Sequence, residues 1–161
     1  MNVTTETSVE NLTLTTTAEL SASLERTWSL VSDPRKLERW WGPPEWPATF
    51  VKFEFEPAGR AHYFMQGPDG EKIHGWWRFV SITEPRELEI EDGFADESGE
   101  PSGDLGVTTA RITFEPIEAG TRLTIVSGFE SEDQLEEMAK MGMDEGMRLA
   151  VGQIQHILDE S

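Results

Sequence analysis

The chain has 161 residues, enough for one domain with a real core and too few for two ordinary ones. Thirteen Lys and Arg stand against 31 Asp and Glu, a net charge of −18. That balance argues against nucleic-acid and anionic-membrane surfaces, which need clustered cations, and the lack of cysteine excludes disulfides, thiolate-held metal centres and a thiol nucleophile.

The N-terminus has no positive start and no apolar run of signal length, so the expected location is the cytoplasm and no membrane insertion is expected. Residues 1–8 are polar and expected to be loose, leaving residues 9–161 as a single domain. Residues 9–20 alternate and read as a first strand. Ser21 or Ser23 can cap a helix over 24–32, with Leu24, Trp28 and Val31 at helical spacing. Asp33-Pro34 stops it and starts a second short helix, PRKLERWW, which Gly42-Pro43-Pro44 ends.

The period then changes to two. Strands are expected over 48–56, 60–66, 72–83, 87–94, 107–115 and 121–129, separated by short turns such as Pro68-Asp69-Gly70. Residues 95–104 form an acidic Gly/Pro/Ser loop; the charge run 87–104 reads as a solvated strand end. Meander order with short turns means an antiparallel sheet. Ser131 caps a helix running to about Asp159, roughly 40 Å long at 1.5 Å per residue. Gly142, Gly146 and Gly152 within it imply close backbone approach or a bend. The fold class is α+β, a curved antiparallel sheet laid around one long C-terminal helix, with the helix pair plugging one end. Such a grip leaves room for a cavity between sheet and helix.

The segments SLERTWSLVSDPRKLERWWGP, FEPAGRAHYFMQGPDGEKIHGWWRFVSITEPREL and TRLTIVSGFES with MGMDEGMRLAVGQIQHIL carry a family likeness. They resemble the START-like, or Bet v 1-like, helix-grip superfamily, and within it the bacterial homologues of the heat-shock-protein ATPase activator, over residues 9–159. The carrying motifs are Trp40-Trp41-Gly42-Pro43, a Gly-Gly-Arg turn, Gly67-Pro68-Asp69-Gly70 and Gly142-Met143-x-x-Gly146. Two positions depart from the pattern: Ala58 replaces the first glycine of the Gly-Gly turn, and Phe79 stands where relatives often carry glutamate. The resemblance implies pairing as a homodimer through sheet edges or helices, and a chaperone partner as an alternative to ligand binding.

Strand parity places Ala61, Tyr63 and Met65 with Ile73, Gly75, Trp77 and Phe79 on the inner face, and His62, His74, Trp76 and Arg78 on the outer. Met138, Met141, Met143 and Met147 lie within ten positions of one helix, a composition suited to an adaptable apolar lid or to loose core packing. The ligand-binding candidates are Trp41, Tyr63, Met65, Trp77, Phe79, Ile90, Phe94, Met143 and Met147. The expected partner is a small, largely hydrophobic molecule: a lipid, an isoprenoid, or an aromatic or polyketide-like compound. No nucleophile elbow, phosphate loop or dinucleotide fingerprint occurs, and the three histidines lack metal spacing, so no cofactor or metal is expected. Asp92, which shares parity with Leu88, Ile90 and Phe94, and Glu145, between two helix stripes, are the acid–base candidates for a cyclase- or hydrolase-like alternative.

Overall fold

The computed structural model describes residues 2–160. Eight antiparallel strands form one sheet in the order β1-β2-β8-β7-β6-β5-β4-β3. The strands are β1 (Val3–Ser8), β2 (Thr13–Leu20), β3 (Ala48–Phe53), β4 (Arg60–Gln66), β5 (Lys72–Thr83), β6 (Glu87–Ala95), β7 (Val107–Ile117) and β8 (Gly120–Gly128). Helices α1 (Leu24–Ser32) and α2 (Pro34–Leu37) follow β2. The predicted meander of six strands after the helix pair is present in order.

Residues 3–8 are not loose. β1 pairs with β2 from Val3↔Ala18 to Ser8↔Thr13, and a turn at 9–12, with Leu12 at φ 54, joins them. The expected strand over 9–20 is therefore the second arm of a hairpin. Val3, Thr4, Thr5 and Thr7 are β-branched and suit a pleated surface, but they carry no apolar alternation to announce a strand.

The sheet is two-sided in chemistry. Its inner face carries Phe50, Trp77, Phe79, Leu88, Ile90, Ile112, Leu123 and Ile125, all buried. The outer face carries cross-strand ion pairs, such as Arg78–Glu91 at 2.9 Å and Arg111–Glu89 at 3.2 Å. These exposed pairs add about 0–1 kcal/mol each and mainly keep that face wet.

The helix pair closes one end. The Ser23 hydroxyl accepts from Arg26 N, and the Asp33 carboxylate accepts from Arg35 N, so each short helix starts on a side-chain cap. Trp28 meets Phe55 and Phe114 edge-on at 6.1 and 5.8 Å. Trp40 is buried and donates its indole N–H to Leu30 O at 3.0 Å. These aromatic contacts extend the core to the rim of the sheet.

The predicted single C-terminal helix is bent into three: α3 (Glu132–Lys140), α4 (Met143–Val151) and α5 (Ile154–Asp159). Gly142 takes a left-handed φ of 81°, a conformation a side-chain-bearing residue reaches only at a cost, and the chain turns there. A second break falls at Gly152-Gln153. Gly142 and Gly152 mark the two breaks, as the bend reading expects, while Gly146 lies inside α4. Among the described residues no helix is long and apolar enough to cross a membrane.

Candidate functional site

The C-terminal segment is anchored at both ends and slack between. At its start, the Gln134 amide donates to Leu105 O at 2.6 Å and Val107 O at 3.1 Å, while its oxygen accepts from Glu130 N. Leu135 is buried beside it. At its end, Ala150, Val151, Ile154, Ile157 and Leu158 are buried, and the Gln153 amide donates to Gly42 O at 2.8 Å. Between these anchors, residues 136–149 bury no side chain fully. That span arches over the sheet and encloses a cavity of about 440 Å³.

The floor of the cavity is the inner face of β4 to β8, from Tyr63 and Met65 across Asp92 and Phe94 to Thr108 and Ser127. Trp41, Pro43 and Trp46 form one wall, and the roof is Met138, Met141, Gly142, Met143, Gly146 and Met147. Five of the chain's six methionines thus border one space. Met141 and Ile73 mark its solvent edge, at 56% and 43% exposure. The volume falls within the range of small-molecule sites, and the lining has their character of apolar walls with few polar groups.

The polar groups gather at the floor. Tyr63 Oη donates to Asp92 Oδ1 at 2.9 Å. Glycine makes this reach feasible: a Cβ on Gly75 would fall 2.3 Å from Tyr63 Cζ, so the tyrosine ring lies across β5 to touch β6. Burial pushes the Asp92 carboxyl up to about 7, against the hydrogen bonds from Tyr63 and Gly93, which favour the carboxylate. No Lys or Arg pairs with it among the described residues. Burial, and then the Asp92 charge, push the Tyr63 phenol well above its ordinary value, so it stays a neutral donor. The Trp41 and Trp77 indole N–H groups lie near this phenol and lower its pKa, yet neither closes a hydrogen bond. Thr108 Oγ1 donates to Asp92 O at 3.3 Å.

Of the residues predicted to contact ligand, Trp41, Tyr63, Met65, Phe94, Met143 and Met147 border the cavity, as does Asp92. Trp77, Phe79 and Ile90 do not. They share the right face but sit farther along it, fully buried in one core cluster with Val151, Ile154 and Ile157. Trp77 packs edge-on against Trp41 at 4.8 Å and so backs the wall it was expected to form. Glu145 is on the solvent side of α4, ion-paired with Arg148, which holds its carboxyl below the usual range. It does not border the cavity, so the expected acid–base role has no site to act on there. Asp92 keeps that chemistry in reach, since a carboxyl titrating near neutrality can give or take a proton. Among the described residues no second carboxylate borders the cavity.

Sequence reasoning missed Trp46, Pro43, Thr108, Ala110 and Ser127, and His74, expected on the outer face, also borders the cavity at its edge. Ser127 had a signal available: it continues the buried parity of Leu123 and Ile125 and is itself buried. The acidic loop is solvated as expected, with residues 96–98 and 100–104 exposed, and it touches the sheet at two points. Gly99 closes over His62, where a Cβ would come within 2.9 Å of the ring, and Arg60 reaches Glu100 at 3.6 Å while lying 5.7 Å over Trp76. Beneath that loop His62 Nε2 and His74 Nδ1 are 2.9 Å apart, diagonal neighbours on β4 and β5. Burial and the neighbouring imidazole lower the pKa of His62. Among the described residues no three His, Asp or Glu side chains gather to hold a metal.

The family model described as Activator of Hsp90 ATPase homolog 1-like protein matches residues 21–159. A protein from Arthrobacter aurescens solved by solution NMR is 52% identical, with a TM-score of 0.93 over 98% of this chain and 92% of that one. Protein Ms6760 from Mycobacterium smegmatis is 44% identical, with a TM-score of 0.90 over 98% and 97%. A Rhodobacter sphaeroides protein at 19% identity and TM-score 0.85, over 99% and 100%, shares the fold. No curated protein matches the sequence.

Proposed function

Because the chain belongs to the Activator of Hsp90 ATPase homolog 1-like family, within the Bet v 1-like superfamily, its fold is given and its function turns on the cavity, and we propose that this cavity binds one small, largely apolar molecule. The observation that carries the reading is the space of about 440 Å³ under a helical arch that buries no side chain fully along 136–149. A packed protein interior leaves few voids larger than a water molecule. Here five methionines face a space into which they can repack, which suits ligands of varied outline. The family description names activation of the Hsp90 ATPase, and a shared fold does not by itself give this chain that activity.

Each phenyl-sized unit transferred from water supplies about 1.5–3 kcal/mol, and a micromolar Kd needs about 8 kcal/mol after the costs of association. Three such units supply about 5–9 kcal/mol before those costs, so a three-ring compound is expected to bind no more tightly than micromolar. The test uses N-phenyl-1-naphthylamine, a neutral probe whose fluorescence rises in apolar surroundings. A saturable rise at one probe per chain, with a Kd in the micromolar range, is expected. A signal that never saturates, or none at all, overturns the reading.

A further inference from the structure

Resting on that binding reading, we propose that the cavity selects an organic cation: an amine or quaternary ammonium on an apolar body, its charge held by the Asp92 carboxylate among the Trp41, Tyr63 and Phe94 rings. The lining contains one acidic side chain and no Lys or Arg. Asp92 Oδ1 is satisfied by Tyr63 at 2.9 Å, a neutral donor, so the carboxylate has no counter-ion. Trp41 and Tyr63 stand edge to face at 6.4 Å, and Phe94 lies two residues beyond Asp92 on the same face of β6. Aromatic faces attract cations, and the attraction strengthens once water is excluded. A half-buried carboxylate without a charged partner has lost part of its hydration, and a ligand cation offsets that loss on binding.

The whole molecule favours the same sign. A net charge of −18 draws cations toward the mouth and repels fatty-acid and other anionic ligands. Of the other titratable side chains bordering the cavity, Tyr63 stays neutral and His74 turns its Nδ1 toward His62. The roof from α3 and α4 contributes methionines and glycines, and β7 and β8 contribute Thr108, Ala110 and Ser127, none of them charged. Protonating Asp92 weakens cation binding. Since burial holds Asp92 near 7, the preference belongs to pH 8 and fades by pH 5.5.

The experiment is calorimetric titration at about 0.15 M salt with three molecules sharing one ring system: 2-naphthylmethylammonium, 2-naphthylmethanol and 2-naphthoate. At pH 8 the ammonium is expected to bind at least tenfold more tightly than the alcohol, with the naphthoate weakest. In Asp92→Asn the ammonium-to-alcohol ratio is expected to fall within threefold. Equal or tighter binding of the alcohol or naphthoate overturns cation selection while leaving the cavity reading intact. A preference that survives Asp92→Asn assigns it to the surface field and overturns the role of this carboxylate. Failure of all three molecules, together with failure of N-phenyl-1-naphthylamine, overturns the binding reading itself.

Discussion

Asp92→Asn is expected to raise the melting temperature by roughly 10 °C at pH 8 and to leave it nearly unchanged at pH 4. The carboxyl moves from the ordinary 3.8 to about 7 on folding, because burial disfavours its charged form. The folded chain therefore binds the proton more tightly than the unfolded one. Its contribution to stability is fully present below pH 4, is lost as the pH rises to about 7, and stays lost above. Three pH units at 1.36 kcal/mol each make this about 4 kcal/mol, and a domain of this size gains about 2–4 °C per kcal/mol. Asparagine keeps an oxygen to accept from Tyr63 Oη and has no charge to bury. The other carboxylates titrate in both proteins, so the difference between the two melting curves isolates Asp92. A constant difference across pH 4–8 would show that Asp92 is ordinarily hydrated.

Gly146→Phe is expected to weaken N-phenyl-1-naphthylamine binding at least tenfold without lowering the melting temperature. A Cβ at Gly146 meets no atom within 4 Å beyond its own helix, and the residue borders the cavity. A benzyl group there occupies the space the probe needs and displaces no packed neighbour. Glycine inside a helix costs about 1 kcal/mol relative to alanine, so Gly146→Ala should melt about 2–4 °C higher while still binding the probe. The two variants separate volume from backbone. Loss of binding in both would trace it to helix stiffness, and retention in both would place the probe elsewhere.

The period-two pattern of β4 and β5 was legible because one face of the sheet is dry and the other wet. Tyr63 and Trp77 are inside as parity requires, and Trp76 is outside although Arg60 and Gly93 bury it there. Parity says which face a residue takes and nothing of how far along the strand it sits. That is why Trp77, Phe79 and Ile90 were expected in the cavity with Tyr63 and Phe94 and instead lie in the closed core. Where core ends and cavity begins is set by the arch of α3 and α4, a packing outcome between segments distant in sequence. The bend itself was written in Gly142, and the lid in the methionines around it. Trp46 follows two prolines and one glutamate in a segment without period, so no pattern pointed it inward. The Tyr63–Asp92 contact needed Gly75 beneath the ring, a three-strand coincidence that one-dimensional spacing does not display.

The most direct measurement is a methyl NMR titration of protein carrying ¹³C-methyl methionine with N-phenyl-1-naphthylamine. Met65, Met138, Met141, Met143 and Met147 all border the cavity, so the ligand reports on itself through the side chains that would hold it. The expected result is saturable shifts in these five methyl signals with one common Kd, absent in Gly146→Phe. Signals that stay in place while the probe binds, or that move without saturating, would contradict a ligand under the methionine arch.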